Sequence, residues 1–148
     1  MILRWRVLAV GKPRLSHARE GVREYLGRLR GFAPMEVEAI KASDPEREGE
    51  LLLSRSQGDF RLVLDERGKL LTSRDFAGVV KDITEGPHKS AVLIVGGADG
   101  LSGPVRSAAD LLWSLSPLTL QHEMALALAL EQIYRAHTIL AGTPYHRD

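Results

Sequence analysis

Short apolar runs alternate with longer segments of helical period along this chain. Leu3 to Val10 reads as a strand, closed by Gly11-Lys12-Pro13. From Leu15 to Arg30 the spacing predicts an amphipathic helix: Leu15, Ala18, Val22, Tyr25, Leu26 and Leu29 fall within one arc of roughly 100°. Met35 to Ile40 predicts a second strand, and Pro45 to Ser56 a second helix with Ser43 or Asp44 as its cap. Phe60 to Asp65 predicts a third strand ending in the turn Asp65-Glu66-Arg67-Gly68-Lys69. Ser73 to Thr84 predicts a third helix, capped by Ser73, with Phe76, Val79, Val80 and Ile83 inward.

Ala91 to Val95 is apolar without alternation, the pattern of a central parallel strand covered on both faces. It runs into Gly96-Gly97-Ala98-Asp99-Gly100. A fourth helix is expected from Gly103 to Leu112, with Pro104 in its first turn, then a short strand from Trp113 to Leu115. A last helix follows from Leu120 to Leu140: Met124 to Leu130 alternates as a strand would, but its alanines and the flanking residues favour helix. It places Leu126, Leu130 and Ile133 on one face and Leu128 on the other, so it needs cover on two sides, from the domain or from a second subunit. Strands alternating with helices predict an α/β fold, mainly parallel, with helices on both faces of the sheet. With 148 residues and no repeat or linker, residues 1–148 are expected to form a single domain.

Composition narrows the classes. At 44% apolar and 26% charged residues the chain is not a disordered one. The absence of cysteine excludes disulfides, thiolate metal sites and cysteine nucleophiles, and accords with a reducing compartment. The opening Met-Ile-Leu-Arg-Trp-Arg has no signal-peptide pattern, and the longest apolar run, Met124 to Leu130, is too short to span a bilayer. A cytoplasmic protein with no membrane partner is expected. Metal-ligand spacing is absent, so no metal is expected either.

The net charge of +1 conceals an asymmetry. Residues 1–31 carry Arg4, Arg6, Lys12, Arg14, Arg19, Arg23, Arg28 and Arg30 against Glu20 and Glu24, a balance of +6 that leaves −5 for the remainder. Such an end suits a polyanionic partner, and equally a solvated helix rich in arginine. On the first helix Arg19, Arg23 and Arg30 lie within about 40° of one another, where three guanidinium groups can track a phosphate backbone.

Parallel α/β sheets bind ligands beyond the carboxyl ends of their strands. Three loops stand there: Leu64-Asp65 and its turn, Gly96 to Gly100, and Leu115-Ser116-Pro117-Leu118-Thr119-Leu120. The glycine loop serves a ligand or a tight strand–helix turn with the same residues. It has neither G-x-G-x-x-G nor the lysine of a P-loop, which argues against a nucleotide hydrolase. His122 is a base or a simple loop histidine. Glu131 and Arg135 have the spacing and order of a helical ion pair. The ending Pro144-Tyr145-His146-Arg147-Asp148 is a frayed tail, or else a stacking ring, an imidazole and a phosphate-pairing fork in one place.

Taken in order, these motifs resemble one protein family. Its signature residues are Leu62-Val63-Leu64-Asp65-Glu66-Arg67-Gly68-Lys69, then Thr72-Ser73 and Asp75-Phe76-Ala77, then Ile94-Val95-Gly96-Gly97-Ala98-Asp99-Gly100-Leu101. Ser114 to Leu120 with His122, Glu131-Gln132-Ile133-Tyr134-Arg135-Ala136 and Pro144-Tyr145-His146-Arg147 complete it. The chain is similar over its whole length to the ribosomal RNA large subunit methyltransferase H family of the SPOUT superfamily. It departs from the family where Gln121 and Leu126 replace a usual Pro and Arg.

The resemblance implies a C-terminal trefoil knot, a homodimer packed through it, and S-adenosylmethionine as cofactor. It implies methylation at N3 of a pseudouridine in 23S ribosomal RNA within the assembled ribosome. Carried onto this chain, the cofactor contacts are Leu64, Gly96 and Leu115, Ser116, Pro117, Leu118, Thr119 and Leu120. The catalytic candidates are His146 with Arg147 and Arg135, and the RNA-binding candidates are Arg19, Arg23, Arg30, Tyr145 and His122. A non-catalytic RNA-binding or ribosome-assembly factor with the same shell is the alternative.

Overall fold

The structure, a computed structural model, describes residues 2–148. Its strands are β1 (Arg4–Val10), β2 (Met35–Ile40), β3 (Phe60–Leu70), β4 (Ser90–Val95) and β5 (Leu111–Ser114). They alternate with helices α1 (Ser16–Leu29), α2 (Pro45–Ser54), α3 (Ser73–Glu85), α4 (Gly103–Ser107) and α5 (His122–Ala141). The strands form one sheet in the order β2-β1-β4-β3-β5, and each neighbouring pair is parallel.

Side-chain alternation sends the strands' apolar residues to both faces of the sheet. Trp5, Val7, Leu62 and Leu93 pack with Leu29 of α1, Phe76 and Val80 of α3, and Leu130 and Ile133 of α5. Leu8, Val63, Val92 and Ile94 pack on the other face against Leu52 of α2 and Val105 of α4. The expected mainly parallel α/β sheet with helices on both faces is therefore present. β4, buried from Ala91 to Val95, is its centre. No helix among the described residues is long and apolar enough to cross a membrane.

Polar groups inside this core are paired. The Trp5 indole N–H donates to His137 Nε2 on α5 at 3.0 Å, and burial holds the His137 imidazole below its ordinary pKa, so it stays a neutral acceptor. Phe76 stacks on Trp113 with centroids 4.1 Å apart and planes 5° from parallel, fastening β5 to α3. Such a pair adds about 0.5–1.5 kcal/mol beyond the area it buries.

Several elements differ from the sequence-based expectation. The fourth helix ends at Ser107, not Leu112, and β5 starts at Leu111. The reason lies in Asp110: its backbone N–H donates to Arg61 O at 2.9 Å, and its carboxylate accepts from Arg61 N at 2.8 Å. This double link pins the chain to the start of β3 before a second helical turn can form. The cap of α3 is Thr72, whose hydroxyl accepts from Asp75 N, whereas Ser73 donates to Gln132.

β3 also runs past Asp65. Leu64 and Lys69 both stand opposite Trp113, so residues 65–68 make an excursion before the strand resumes beside β5. Gly68 returns so close to β5 that a Cβ there would lie 2.6 Å from the Leu112 carbonyl and the Trp113 nitrogen. The expected turn is therefore a bulge within a longer strand.

Candidate functional site

The parallel sheet brings the carboxyl ends of β3, β4 and β5 to one rim, where a cleft of about 740 Å³ opens. Leu64 and Gly96 line it together with Leu115, Ser116, Leu118, Thr119 and Leu120. All three loops singled out from the sequence thus meet in one cavity. Pro117 lies in the same loop but not in the wall.

The walls are largely main chain, and the local sequence explains how they are held. A Cβ on Gly96 would stand 2.9 Å from Leu101 Cγ and 3.1 Å from the Gly100 carbonyl carbon, so only glycine lets this loop fold back on itself. The fold-back is closed by Gly100 N–H donating to Gly97 O at 3.1 Å, with Gly100 at φ +79°. In the facing loop Ser116 organises the turn: its carbonyl accepts from Ser114 Oγ at 3.0 Å and its hydroxyl from Leu118 N at 2.9 Å. The Leu118 side chain is left 73% exposed at the mouth. Asp65 Oδ1 accepts from Arg67 N at 2.8 Å, and Thr119 donates to Glu66 at 3.0 Å, joining the β3 excursion to the β5–α5 loop.

α5 begins at the cleft. Gln121 caps it by accepting from Glu123 N and Met124 N at 2.8 and 3.0 Å. His122 lines the cleft and also a small crevice beneath Gly11 and Gly96, so it is a wall residue and not a plain loop histidine. Leu126 is 4% exposed and belongs to the core, so this position has no polar role here. Glu123 reaches across to α1, whose Leu15 cap position has no side-chain cap of its own. There Glu123 Oε1 accepts from Leu15 N at 2.9 Å and from Arg14 N. These bonds, led by that from Leu15, hold its carboxyl below the usual value.

The terminal residues form a second polar centre, docked and not frayed. Tyr145 donates to Glu131 Oε2 at 3.0 Å, and its ring lies between the Arg135 guanidinium and the edge of Tyr134, with centroid separations of 4.8 Å to each. Burial, and then the bonds to Tyr25 and Glu131, push the Tyr145 phenol above its ordinary range, so it remains a donor. Glu131 also pairs with Arg135 at 3.1 Å, as the spacing expected. Arg135 Nη1 donates to His146 Nδ1 at 3.1 Å. Since that nitrogen accepts, Nε2 carries the hydrogen and donates to Asp148 Oδ1 at 2.8 Å. Asp148 is gripped by Arg74 at 2.7 Å, and chiefly this bond lowers its carboxyl to about 2.

Within one chain, Arg135, Tyr145, His146 and Arg147 do not line the cleft. Arg19, Arg23 and Arg30 are all exposed on or just after α1, and Arg23 makes only a loose 3.9 Å pair with Glu20. Sequence reasoning missed two participants. Arg106 of α4 lines the cleft, and its spacing after the glycine loop was the available signal. Glu123 looked like an ordinary first-turn acid, because its partners lie more than one hundred residues away.

A family model described as "Predicted SPOUT methyltransferase" matches residues 3–146. The ribosomal RNA large subunit methyltransferase H of Thermus thermophilus is 47% identical over 145 residues, covering 98% of this chain and 99% of that protein. A probable methyltransferase from Bordetella pertussis superposes with a TM-score of 0.62 at 13% identity, over 91% of this chain and 95% of that one. A putative methyltransferase from Legionella pneumophila, solved with the bound cofactor SAM, superposes with a TM-score of 0.52 at 15% identity, over 90% and 66% of the two chains. At such identities the two structures bear on the fold alone. The full-length family match and the Thermus relative go further, and with the converging loops they place the chain: it belongs to the SPOUT methyltransferases, in the ribosomal RNA large subunit methyltransferase H family.

Proposed function

We propose that this chain is an S-adenosylmethionine-dependent methyltransferase acting on N3 of a pseudouridine in large-subunit ribosomal RNA. It works in the cytoplasm on the assembled ribosome, as a homodimer of single-domain subunits whose C-terminal segments are threaded as a trefoil knot. The observation that carries this reading is the convergence of Leu64, Gly96 and Leu118 on one cleft.

The cleft suits the cofactor. Gly96 lines the cleft with main chain alone, and the Leu115–Leu120 loop offers main-chain groups beside apolar side chains. Leu64, Leu118 and Leu120 would hold the faces of an adenine ring, and main-chain groups of Gly96 and of the Leu115–Leu120 loop its edge. When bound, S-adenosylmethionine supplies a methyl carbon made electrophilic by its sulfonium. The protein's task is to align the acceptor nitrogen with it and exclude water.

An imide N–H is a poor nucleophile until its proton leaves. His146 takes that proton at Nδ1, the lone pair now held by Arg135, once Arg135 turns to the uracil oxygen; Arg147 holds phosphate or the same oxygen. Tyr145 and His122 contact RNA, and Arg19, Arg23 and Arg30 follow its backbone through electrostatic contacts. Because the tail does not line its own chain's cleft, the reading needs a second copy to bring its tail there. The exposed Leu128, on the face of α5 away from the buried Leu126, Leu130 and Ile133, gives that copy an apolar side chain to cover.

The deciding experiment is mass spectrometry of ribosomal RNA nucleosides from cells with and without the gene. Loss of one N3-methylated pseudouridine is expected. An unchanged methylation pattern would overturn the proposal.

A further inference from the structure

Arginines in the cleft differ in what they are given to do. Arg67 lies over Asp65, 3.7 Å from its carboxylate. Arg106 also lines the cleft, half-buried, yet no carboxylate among the described residues lies within ion-pair distance of it. Its guanidinium is instead oriented by one bond, Nη1 donating to the carbonyl of Leu101. That leaves most of a rigid, permanently charged fork with no protein anion to answer it. The surrounding wall makes this unusual, because Asp65, Glu66 and Asp99 line the same cavity and none of them pairs with Arg106. A partly desolvated guanidinium, held through Nη1 and with no protein partner for Nε or Nη2 among the described residues, is a built receptor for a carboxylate or another flat oxyanion.

We infer that Arg106 binds the carboxylate of the cofactor's amino-acid end, and so sets which adenosyl compounds the cleft accepts. The inference rests on the reading of the cleft as a methyl-donor site. Two features favour the cofactor's own carboxylate over an RNA phosphate. Arg106 is on α4, directly after the Gly96–Gly100 loop, and shares the cleft with Gly96 and Leu118; the exposed arginines of α1 face solvent elsewhere. Its anchor, Leu101, is the residue that packs on Gly96, so the fork is fixed relative to that loop.

The test is calorimetric titration of the full chain, without RNA, using S-adenosylmethionine and its decarboxylated analogue, which differ by the carboxylate alone. The native protein is expected to prefer S-adenosylmethionine by about ten- to hundredfold, the range of one charged hydrogen bond. Arg106→Gln should erase that preference by weakening S-adenosylmethionine binding while sparing the analogue, and Arg106→Lys should keep part of it. Equal weakening of both ligands would reduce Arg106 to a brace for Leu101 and overturn the inference. So would a variant that binds both normally but needs more ribosomes for half-maximal rate, since the partner would then be an RNA phosphate. If the native protein binds neither compound, the cleft itself has been misread. Normal binding of S-adenosylmethionine with undiminished discrimination by Arg106→Gln sinks only the role given to Arg106.

Discussion

The cleft and the terminal cluster are built on opposite plans. The cleft is made of glycines, turns and main-chain groups, braced by short bonds such as Ser116 to Leu118. The terminal cluster is made of long side chains that answer one another from Glu131 through Arg135 and His146 to Asp148 and Arg74. A main-chain site survives loss of side chains and fails when bulk is added. A side-chain network does the reverse, because each truncation strands a partner. The division also suits the proposed chemistry: a constant ligand rests on rigid backbone, while proton handling is left to groups that can move.

The contrast can be broken in graded steps. His146→Ala should lower kcat by about 10²- to 10⁴-fold, the usual share of a general base. Affinity for the cofactor, measured by calorimetry, should stay unchanged. A normal rate would remove His146 from the chemistry, and a parallel loss of binding would merge the two centres. Gly68→Ala comes next: its Cβ would meet the β5 backbone at 2.6 Å, and neither strand can yield without losing register. Urea unfolding should show a loss of about 3 kcal/mol or more.

His137→Leu should cost about 1–3 kcal/mol by leaving the buried Trp5 N–H without an acceptor. The pH dependence has a definite sign. The His137 pKa is lowered by folding from an ordinary 6.5, so its contribution is present above 6.5 and is lost as pH falls toward the folded value. Native protein should lose more stability than the leucine variant over that window; parallel curves would refute the buried neutral acceptor. The smallest effect is expected for Glu123→Ala, about 1 kcal/mol, as for other lost helix caps. Hydrogen exchange should show faster exchange at Arg14 and Leu15, with the cleft unaffected.

Much of this was legible in the sequence because it is local. Unbroken apolarity marked β4, period marked α1, helix-forming residues marked α5 against an alternating pattern, and glycine with proline marked the loops at the rim. The errors fell where distant contacts decide. Nothing near Asp110 announces that Arg61 will hold it, and β5 starts early for that reason. The β3 excursion is invisible locally because its second half is stabilised only by β5. At the site, Gly96 and the Leu115–Leu120 loop were readable from their turn chemistry. Arg106 was readable only as a position shortly after the glycine loop, since its standing depends on no carboxylate among the described residues being near it.

The place of β4 in the sheet has a consequence for synthesis. It inserts between β1 and β3, both made earlier, so these strands have no partner on their inner edges until residues 90–95 leave the ribosome. A nascent chain of this topology carries an open edge on β1 from early in its synthesis, gains a second on β3, and closes both only when β4 follows. Slowed elongation before Ser90, or a chain cut short there, should therefore yield aggregates and not a smaller folded protein.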